Sequence, residues 1–331
     1  MPQRVQITLG LVIAAAIVVV VVLIASGGDS SSDSASGVTS RPAPAKADFP
    51  AVDGRSLEQV YSDGTPDNKL VAAPSGQVFG VGDDRFGFGL FTADGNQLTS
   101  SDVAIYAGQK NGPAIGPFPA RIESMETEPA FRAKTTSDDP DSAKAVYVTG
   151  LPLEKPGEWR TFAMVKEGND LHTTILPSLV VSNSSKVPDV GQKAPVVHTP
   201  TAGDVANLSE IDTRLPHDTM HDVDLADVLG KKPVVLVFAT PALCQSRVCG
   251  PVVDVEEQVK SEFSDSDVAF IHQEVYEDNN PNKGYRSQLK AYGLRTEPWL
   301  FVIDRNGTIS TRIEGAFGVP ELERAVLKVE G

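Results

Sequence analysis

The pattern of hydrophobic and polar positions divides the chain into segments with different periodicities. Residues 7–25 form a continuous apolar run without a charged side chain. A helix of this length rises about 1.5 Å per residue and spans about 28 Å, close to the hydrocarbon thickness of a bilayer, about 30 Å. The run therefore predicts a transmembrane signal anchor, and residues 1–6 before it predict a short cytoplasmic N-terminus.

A cleaved signal peptide is the alternative interpretation of this apolar run. Secretory apolar regions usually have about 7–15 residues and end at a small-x-small site. This run is longer, and Ile24, Ala25 and Ser26 match such a site poorly. Arg4 is the charged residue before the run, and the positive-inside tendency then places the N-terminus in the cytoplasm. We therefore expect a single-pass protein of the cell membrane whose bulk is extracytoplasmic, where disulfides persist.

The next two segments differ in composition and in period. Residues 26–48 are rich in Ser, Gly, Ala, Pro and Asp, and they predict a disordered linker because they bury too little apolar surface to offset the entropy of ordering. Residues 49–185 contain short alternating apolar runs bounded by turn residues, which predict an antiparallel β-sandwich. The predicted strands include residues 85–91, 103–106, 145–148, 159–165 and 179–181.

Residues 186–331 alternate strand-like and helix-like patterns, which predicts an α/β domain. Val252, Val255 and Val259 recur at the spacing that gives a helix one apolar face. The predicted strands are residues 234–239, 268–275, 299–304 and 309–314, and the predicted helices are residues 251–263, 284–292 and 320–329.

The chain has two cysteines, Cys244 and Cys249, and both follow a predicted strand and precede a predicted helix. Two thiols at such a turn predict one dithiol or disulfide site. Residues five apart on one helix are about 8–9 Å apart between Cα atoms, beyond the limit of about 7 Å for a disulfide. If the cysteines pair, Cys244 therefore lies in the loop and Cys249 lies near the helix cap.

A helix N-terminus stabilises a nearby thiolate and lowers its pKa. The helix predicted near Pro251 directs its free N–H groups at Cys249, and Arg247 adds positive charge as a modulating residue. A static disulfide that staples the loop is the alternative, although a cross-link across so short a loop stabilises the fold little through chain entropy.

The net charge of −15 argues against a nucleic-acid partner, which would require a basic face.

Three segments, residues 190–195, 225–233 and 296–307, resemble membrane-tethered bacterial proteins of the thioredoxin-like and peroxiredoxin-related class, in the family order. The resemblance implies a thioredoxin-like domain at residues 186–331. It also implies that Pro298 is the cis-proline that presents the preceding backbone to an extended substrate, with Glu297 in the same substrate loop. An acid there would raise the pKa of a nearby thiol, and Glu274 and Tyr276 are expected on the same rim.

The turn at residues 155–159, which leads into an aromatic strand, resembles immunoglobulin-like bacterial modules and implies an immunoglobulin-like sandwich at residues 49–185.

The cysteine spacing departs from the thioredoxin pattern. Thioredoxins have two residues between their cysteines, whereas four intervene here. Which thiol attacks first is therefore left open.

Two rival chemistries share the resemblance. Peroxiredoxins carry a Pro-x-x-x-Thr/Ser-x-x-Cys loop, which Pro241, Ser246 and Cys249 approximate with one residue too many. Copper-delivery proteins carry Cys-x-x-x-Cys and a distant histidine that completes a soft metal site. Here the cysteine spacing is one residue longer, and His272 is the only histidine after the cysteines.

A further possible ligand cluster is formed by His217, Met220 and His221. Pro216 and the neighbouring aspartates favour a solvated turn at these positions. We therefore predict no metal site and no cofactor.

The leading hypothesis is an extracytoplasmic, membrane-tethered thiol–disulfide oxidoreductase. Cys244 and Cys249 would be its redox pair, and its partners would be the thiols or disulfides of exported proteins. The alternative is a non-catalytic binding or scaffold protein with a thioredoxin-like fold. This alternative is favoured by Leu243, which stands where a tryptophan often precedes the first cysteine.

Overall fold

The computed structural model of the chain describes residues 37–244 and 246–331. Val38–Gly331 forms one compact unit. The predicted cytoplasmic residues 1–6 and the predicted anchor at residues 7–25 lie outside the described residues. Among the residues that are described, no helix is both long enough and apolar enough to cross a bilayer.

Residues 38–48, which composition assigns to the linker, contact the first group of strands. The backbone of Arg41 pairs with that of Ile122 in an isolated β-bridge. The hydroxyl of Ser40 accepts a 2.8 Å hydrogen bond from the backbone N–H of Ser124. The predicted linker therefore includes residues that pack on the folded unit.

Strands occupy the first half of this unit, and strands alternate with helices in the second half. The strands are β1 (Thr65–Pro66), β2 (Leu70–Pro74), β3 (Phe79–Gly80), β4 (Gly82–Thr92), β5 (Asp102–Gln109), β6 (Ile115–Pro119), β7 (Arg121–Ser124), β8 (Ala145–Leu153), β9 (Gly157–Glu167), β10 (Asp170–Ser182), β11 (Val234–Phe238), β12 (Ala269–Gln273), β13 (Trp299–Ile303) and β14 (Ile309–Glu314). The helices are α1 (Leu57–Tyr61), α2 (Lys134–Ser137), α3 (Leu225–Val228), α4 (Cys249–Glu262), α5 (Ser287–Ala291) and α6 (Val319–Glu330).

The first ten strands form two sheets that share a hydrophobic core. One sheet has the order β1-β10-β9-β5-β6, with β3 also on β10, and the other has the order β2-β4-β8-β7. Phe86, Phe88 and Leu90 alternate with glycine along β4 and enter the core, because successive strand residues point to opposite faces. The sheet that contains β5 and β9 contributes Ile105 and Val165 to the same core. The strand pattern therefore predicts the two-sheet body correctly, whereas its immunoglobulin-like character stays a prediction.

The predicted antiparallel sandwich also contains two short parallel pairings, both at β10. The two-residue strands β1 and β3 both pair with β10 in parallel. β10 is a long strand, and its outer edge presents unpaired N–H and C=O groups. Short loop segments that pass along this edge satisfy those groups, whichever direction they run.

The remaining strands form a mixed sheet with the order β12-β11-β13-β14. β11 pairs with β12 in parallel and with β13 antiparallel, and β14 is antiparallel to β13. β11 and β13 are buried along their whole length. Helix α4 follows β11, and helix α6 closes the chain after β14. This arrangement is the thioredoxin-like fold that the resemblance implies.

The two bodies are joined by buried charge pairs. Glu321 on α6 pairs at 2.7 Å with Arg85 of β4 and at 2.7 Å with Arg121 of β7. The Glu314 carboxylate on β14 accepts hydrogen bonds from the backbone N–H groups of Gln77 and Val78 at 2.8 and 2.7 Å. Both carboxylates come from the α/β body, and their partners come from the sandwich.

Two glycines allow the backbones of the two bodies to approach closely. A Cβ atom on Gly315 would lie 2.0 Å from the carbonyl oxygen of Ser75, and Gly315 also has a φ of +82°. A Cβ atom on Gly318 would lie 2.2 Å from the carbonyl oxygen of Ser124. Any side chain at either position would therefore separate the bodies.

We expect Glu321→Gln to lower the free energy of unfolding at pH 7 by about 3 kcal/mol, because it leaves the largely buried guanidinium of Arg85 without a counter-charge. Burial favours the neutral acid, but pairing with Arg85 outweighs burial and holds the pKa of Glu321 below its usual value. The contribution is therefore present above the unfolded pKa of about 4.3 and lost as pH falls through the lowered folded pKa. Denaturant unfolding between pH 7 and pH 3 measures it.

The matched control for this substitution is Glu330→Gln, an exposed carboxylate on the same helix. It should change the stability little at any pH. A deficit of Glu321→Gln that stays constant down to pH 3 would contradict the assignment of the effect to the ionised carboxylate.

Candidate functional site

The two cysteines form a disulfide between the end of a buried strand and the start of a helix. β11 ends at Phe238, and Cys249 is the first residue of α4. The Cα atoms of Cys244 and Cys249 are 5.9 Å apart, within the usual range of about 4.4–6.8 Å for disulfides. The expectation that Cys244 lies in the loop and Cys249 at the helix cap is confirmed.

The two sulfur-bearing residues differ in accessibility. Cys249 is fully buried in the core that α4 shares with the sheet, whereas Cys244 is half-buried. The Cys244 sulfur lies 3.2 Å from the hydroxyl of Ser246. The N-terminus of α4 carries unsatisfied N–H groups and a partial positive charge next to both sulfurs. Cys244 is therefore the more accessible of the two cysteines.

Pro298 and Glu297 lie in a loop just before β13. The peptide bond between them is cis, as the resemblance implies, and Pro298 is buried. The Glu297 carboxylate is half-buried and accepts a 3.0 Å hydrogen bond from the hydroxyl of Tyr276. Burial raises the pKa of Glu297, and the hydrogen bond from Tyr276 opposes this shift. Glu297 therefore holds its proton to higher pH than a free glutamate does.

The disulfide loop is attached to the sandwich through Arg247. The Arg247 guanidinium contacts the carboxylate of Asp141 and lies 3.7 Å from that of Asp139. Its backbone carbonyl accepts a 3.1 Å hydrogen bond from the N–H of Ala143. Two carboxylates therefore compensate the positive charge of Arg247, which the sequence predicted would act on the thiols. Arg247 also anchors the loop to the sandwich.

A cavity of about 840 Å³ lies between the disulfide loop, the Pro298 loop and the sandwich. Ser246, Arg247 and Val248 line it on one side, and Glu297 and Tyr276 line it on another. The facing wall belongs to the sandwich and includes residues of β2 and β4 and residues 94–97. The cavity therefore brings the predicted substrate loop and the cysteine loop to one space.

The burial of three side chains corrects two predictions from the sequence, one about the rim of the site and one about the turn around His217. Glu274 does not lie on the rim with Tyr276, because its side chain is fully buried and accepts a hydrogen bond from the N–H of Thr213. The solvated turn expected around His217 is wrong for Met220 and His221, which are both buried. They are buried because this segment covers the edge strand β12.

Several side chains of the site could not be identified from sequence patterns. Ser246 is visible only as part of an imperfect peroxiredoxin loop, and its contact with Cys244 depends on the loop conformation. The partners of Arg247, Asp139 and Asp141, come from a different body more than a hundred residues earlier. No periodicity or local motif connects such positions.

No protein-family model matches the chain, and no curated protein sequence is similar to it. Solved structures similar to part of it include one described as a thiol:disulfide interchange protein DsbE from Chlorobium tepidum, with 20% identity, 43% of this chain and 99% of that chain covered, and a TM-score of 0.32.

A second structure from Chlorobium tepidum is described as a thiol:disulfide interchange protein of the thioredoxin family. It has 18% identity, covers 44% of this chain and 100% of its own, and has a TM-score of 0.30. A third is described as a thioredoxin-like superfamily protein, with 16% identity, 41% and 96% coverage, and a TM-score of 0.29. The fold assignment rests on the sheet order and helix positions rather than on these similarities.

We expect Ser246→Ala to raise the pKa of the Cys244 thiol in the reduced protein by about 0.5–1 unit, because the variant loses one hydrogen bond to the thiolate. Thiolate absorbance against pH, in a Cys249→Ser background, measures the shift. Ser287→Ala, an exposed serine at the start of α5, is the control and should leave the pKa unchanged. Equal pKa values in the two variants would contradict a role for Ser246.

Proposed function

We propose that this protein is a thiol–disulfide oxidoreductase that exchanges disulfides with exported proteins, with Cys244 as the attacking cysteine and Cys249 as the resolving cysteine. The observation that supports the proposal is the disulfide itself, which joins a half-buried and a buried cysteine at the N-terminus of α4 beside a cavity. A static staple does not require one accessible sulfur, a neighbouring hydroxyl or an adjoining cavity.

In the reducing direction, the Cys244 thiolate attacks one sulfur of a substrate disulfide and forms a mixed disulfide, and the other substrate sulfur leaves as a thiolate. The Cys249 thiol loses its proton and attacks the Cys244 sulfur. The intramolecular disulfide forms again, and the second substrate thiolate is released. Two electrons pass from the cysteine pair to the substrate, and the reverse sequence oxidises a substrate dithiol.

The cavity supports an extended segment as the substrate. Thr296 and Glu297, next to Pro298, form one side of the cavity, and the sandwich forms another. A segment that lies between them can present a sulfur to Cys244 while its backbone follows the Pro298 loop. Glu297 contributes a carboxyl group at this surface, and in its ionised form it would repel acidic segments.

We expect Cys249→Ser to accumulate mixed disulfides with partner proteins in cells, because the resolving attack is lost. Cys244→Ser should accumulate none, because its remaining thiol is buried. Non-reducing electrophoresis with and without reductant detects the adducts, and the double variant is the control.

In the purified, reduced chain, limited iodoacetamide should alkylate Cys244 before Cys249. Preferential alkylation of Cys249 would reverse the assigned roles.

A binding or scaffold protein is the second candidate, and the attachment of the disulfide loop to the sandwich favours it. The Arg247 backbone and side chain are both held by sandwich residues, which opposes the loop movement that turnover requires. The scaffold function gains support if neither cysteine variant traps a partner and the purified chain neither reduces nor oxidises a model disulfide. That result would end the exchange proposal.

We also propose that the chain is anchored in the cell membrane by residues 7–25, with the folded unit outside the cytoplasm. The apolar run supports the anchor, and the cysteine disulfide is compatible with an oxidising compartment.

Protease added to intact spheroplasts should therefore remove the folded unit from a membrane-bound stub, while a cytoplasmic marker protein stays whole. A chain that resists protease until the membrane is permeabilised would contradict this orientation. Release of the folded unit from the membrane without protease would favour the cleaved signal peptide.

A further inference from the structure

Two aspartates and two histidines come together in the interior of the α/β body, and no cysteine belongs to this group. Asp212, Asp218 and His221 belong to the irregular segment that precedes α3, and His272 belongs to β12. One oxygen or nitrogen atom from each of the four lies within 4.8 Å of the others. All four side chains are at least nine-tenths buried. The function proposed for the disulfide makes no use of them.

His221 has no hydrogen-bond partner at either ring nitrogen, although the residue is 3% exposed. Its Nε2 atom lies 3.3 Å from Asp218 Oδ1 and 3.8 Å from Asp212 Oδ2. Buried polar atoms without a partner are rare, because each costs about 1–3 kcal/mol. This nitrogen therefore faces two carboxylates at distances suited to a shared cation.

His272 has the orientation that metal-ligating histidines usually adopt. Its Nε2 atom lies 3.1 Å from the backbone carbonyl oxygen of Ala239, to which it donates a hydrogen bond. Its Nδ1 atom lies 2.7 Å from Asp218 Oδ2. A histidine ligand commonly donates its second N–H to a carbonyl in this way, which fixes the tautomer and the ring plane.

The backbone of the segment holds both carboxylates in place. The N–H groups of Arg214 and Asp218 donate to the two oxygens of Asp212 at 2.7 and 2.8 Å. The N–H of Met220 donates to Asp218 Oδ1 at 2.8 Å. Ligand carboxylates in metal centres are likewise held by outer hydrogen bonds. The donor atoms are therefore positioned by the chain itself.

We propose that Asp212, Asp218, His221 and His272 bind one divalent transition-metal ion of the zinc type. Bonds of about 2.0–2.1 Å in a tetrahedron place ligand atoms about 3.4 Å apart. The contacts of His221 with the two carboxylates already match this separation. The hydrogen bond between His272 and Asp218 has to lengthen, since the ion replaces the proton that it contains.

The chemistry of the donors selects the class of ion. Two imidazole nitrogens and two carboxylate oxygens suit zinc and its first-row neighbours, whereas an all-oxygen set would suit magnesium or calcium. The two charges of the ion balance those of the two carboxylates.

The ion would fasten the irregular segment to the sheet. Three ligands come from this segment and the fourth from the edge strand β12, whose His272 N–H already donates to the carbonyl oxygen of Met220 at 3.1 Å. A bound ion would therefore close the edge of the sheet next to Ala239, which leads into the disulfide loop.

The test uses the full-length chain in detergent with its disulfide intact. The chain is stripped with chelator, and the probes are zinc chloride and cobalt chloride. We expect a single Zn²⁺ per chain by mass spectrometry of the metal, visible absorption of tetrahedral Co²⁺, and a melting temperature that rises with zinc. The variant Cys244→Ser/Cys249→Ser should bind equally, because no thiolate takes part.

His221→Ala should weaken zinc binding by about 100-fold or more, and Asp212→Asn should do so as a second variant. His198→Ala is the matched control and should bind as the wild type does, because His198 is an exposed histidine paired with Asp224. Absence of stoichiometric metal in the wild type, or equal binding by the His221 and His198 variants, would overturn the proposal. If both ligand variants fail to fold, X-ray absorption of the wild-type zinc complex decides the question by showing or lacking two imidazole ligands.

Discussion

Glu321 lies buried between Arg85 and Arg121, and this contact joins the last helix to strands β4 and β7 of the facing sheet. The charge is tolerated in the interior because two guanidinium groups accompany it. The close approach of the backbones at Gly315 and Gly318 depends on the same docking. The docked sandwich then supplies one wall of the cavity beside the disulfide. The walls of the site therefore come from both bodies, whereas the disulfide lies within the α/β body.

The two cysteines of the disulfide have different surroundings. Cys249 is enclosed by the valines of α4 and the sheet, and Cys244 stands in a loop that the sandwich contacts through Arg247 and Ala143. A helix N-terminus beside both sulfurs stabilises negative charge when the bond opens. Burial of one sulfur and partial access to the other make the two sulfurs unequal in accessibility, although four residues separate the cysteines.

Much of the fold could be predicted from the sequence, because its evidence is local. The buried apolar run of β11, the valine spacing on α4 and the proline at the start of α6 each fix an element from neighbouring residues. The placement of the two cysteines followed from helix geometry and the limits of a disulfide. These features depend on short-range periodicity and covalent geometry, which a single sequence contains.

The remaining features depend on contacts between distant segments. Arg85 and Glu321 are 236 positions apart, and no pattern connects them. His221 follows a proline and stands among aspartates, so its sequence surroundings indicate solvent, whereas in the fold this polar segment covers the edge of the sheet. The hydrogen bond from Tyr276 to Glu297 likewise depends on how two loops meet.

One hydrophobic core contains Met125, Val146 and Val148 of the sandwich together with Val252 and Val255 of α4. The composition of the chain changes near residue 185, but this core crosses that point. Cutting the chain there would expose apolar side chains on both fragments, on a patch that soluble monomers rarely leave open. The thioredoxin-like part is thus not an independent module: without the sandwich, it would lose a wall of its cavity and expose the apolar side chains of the shared core.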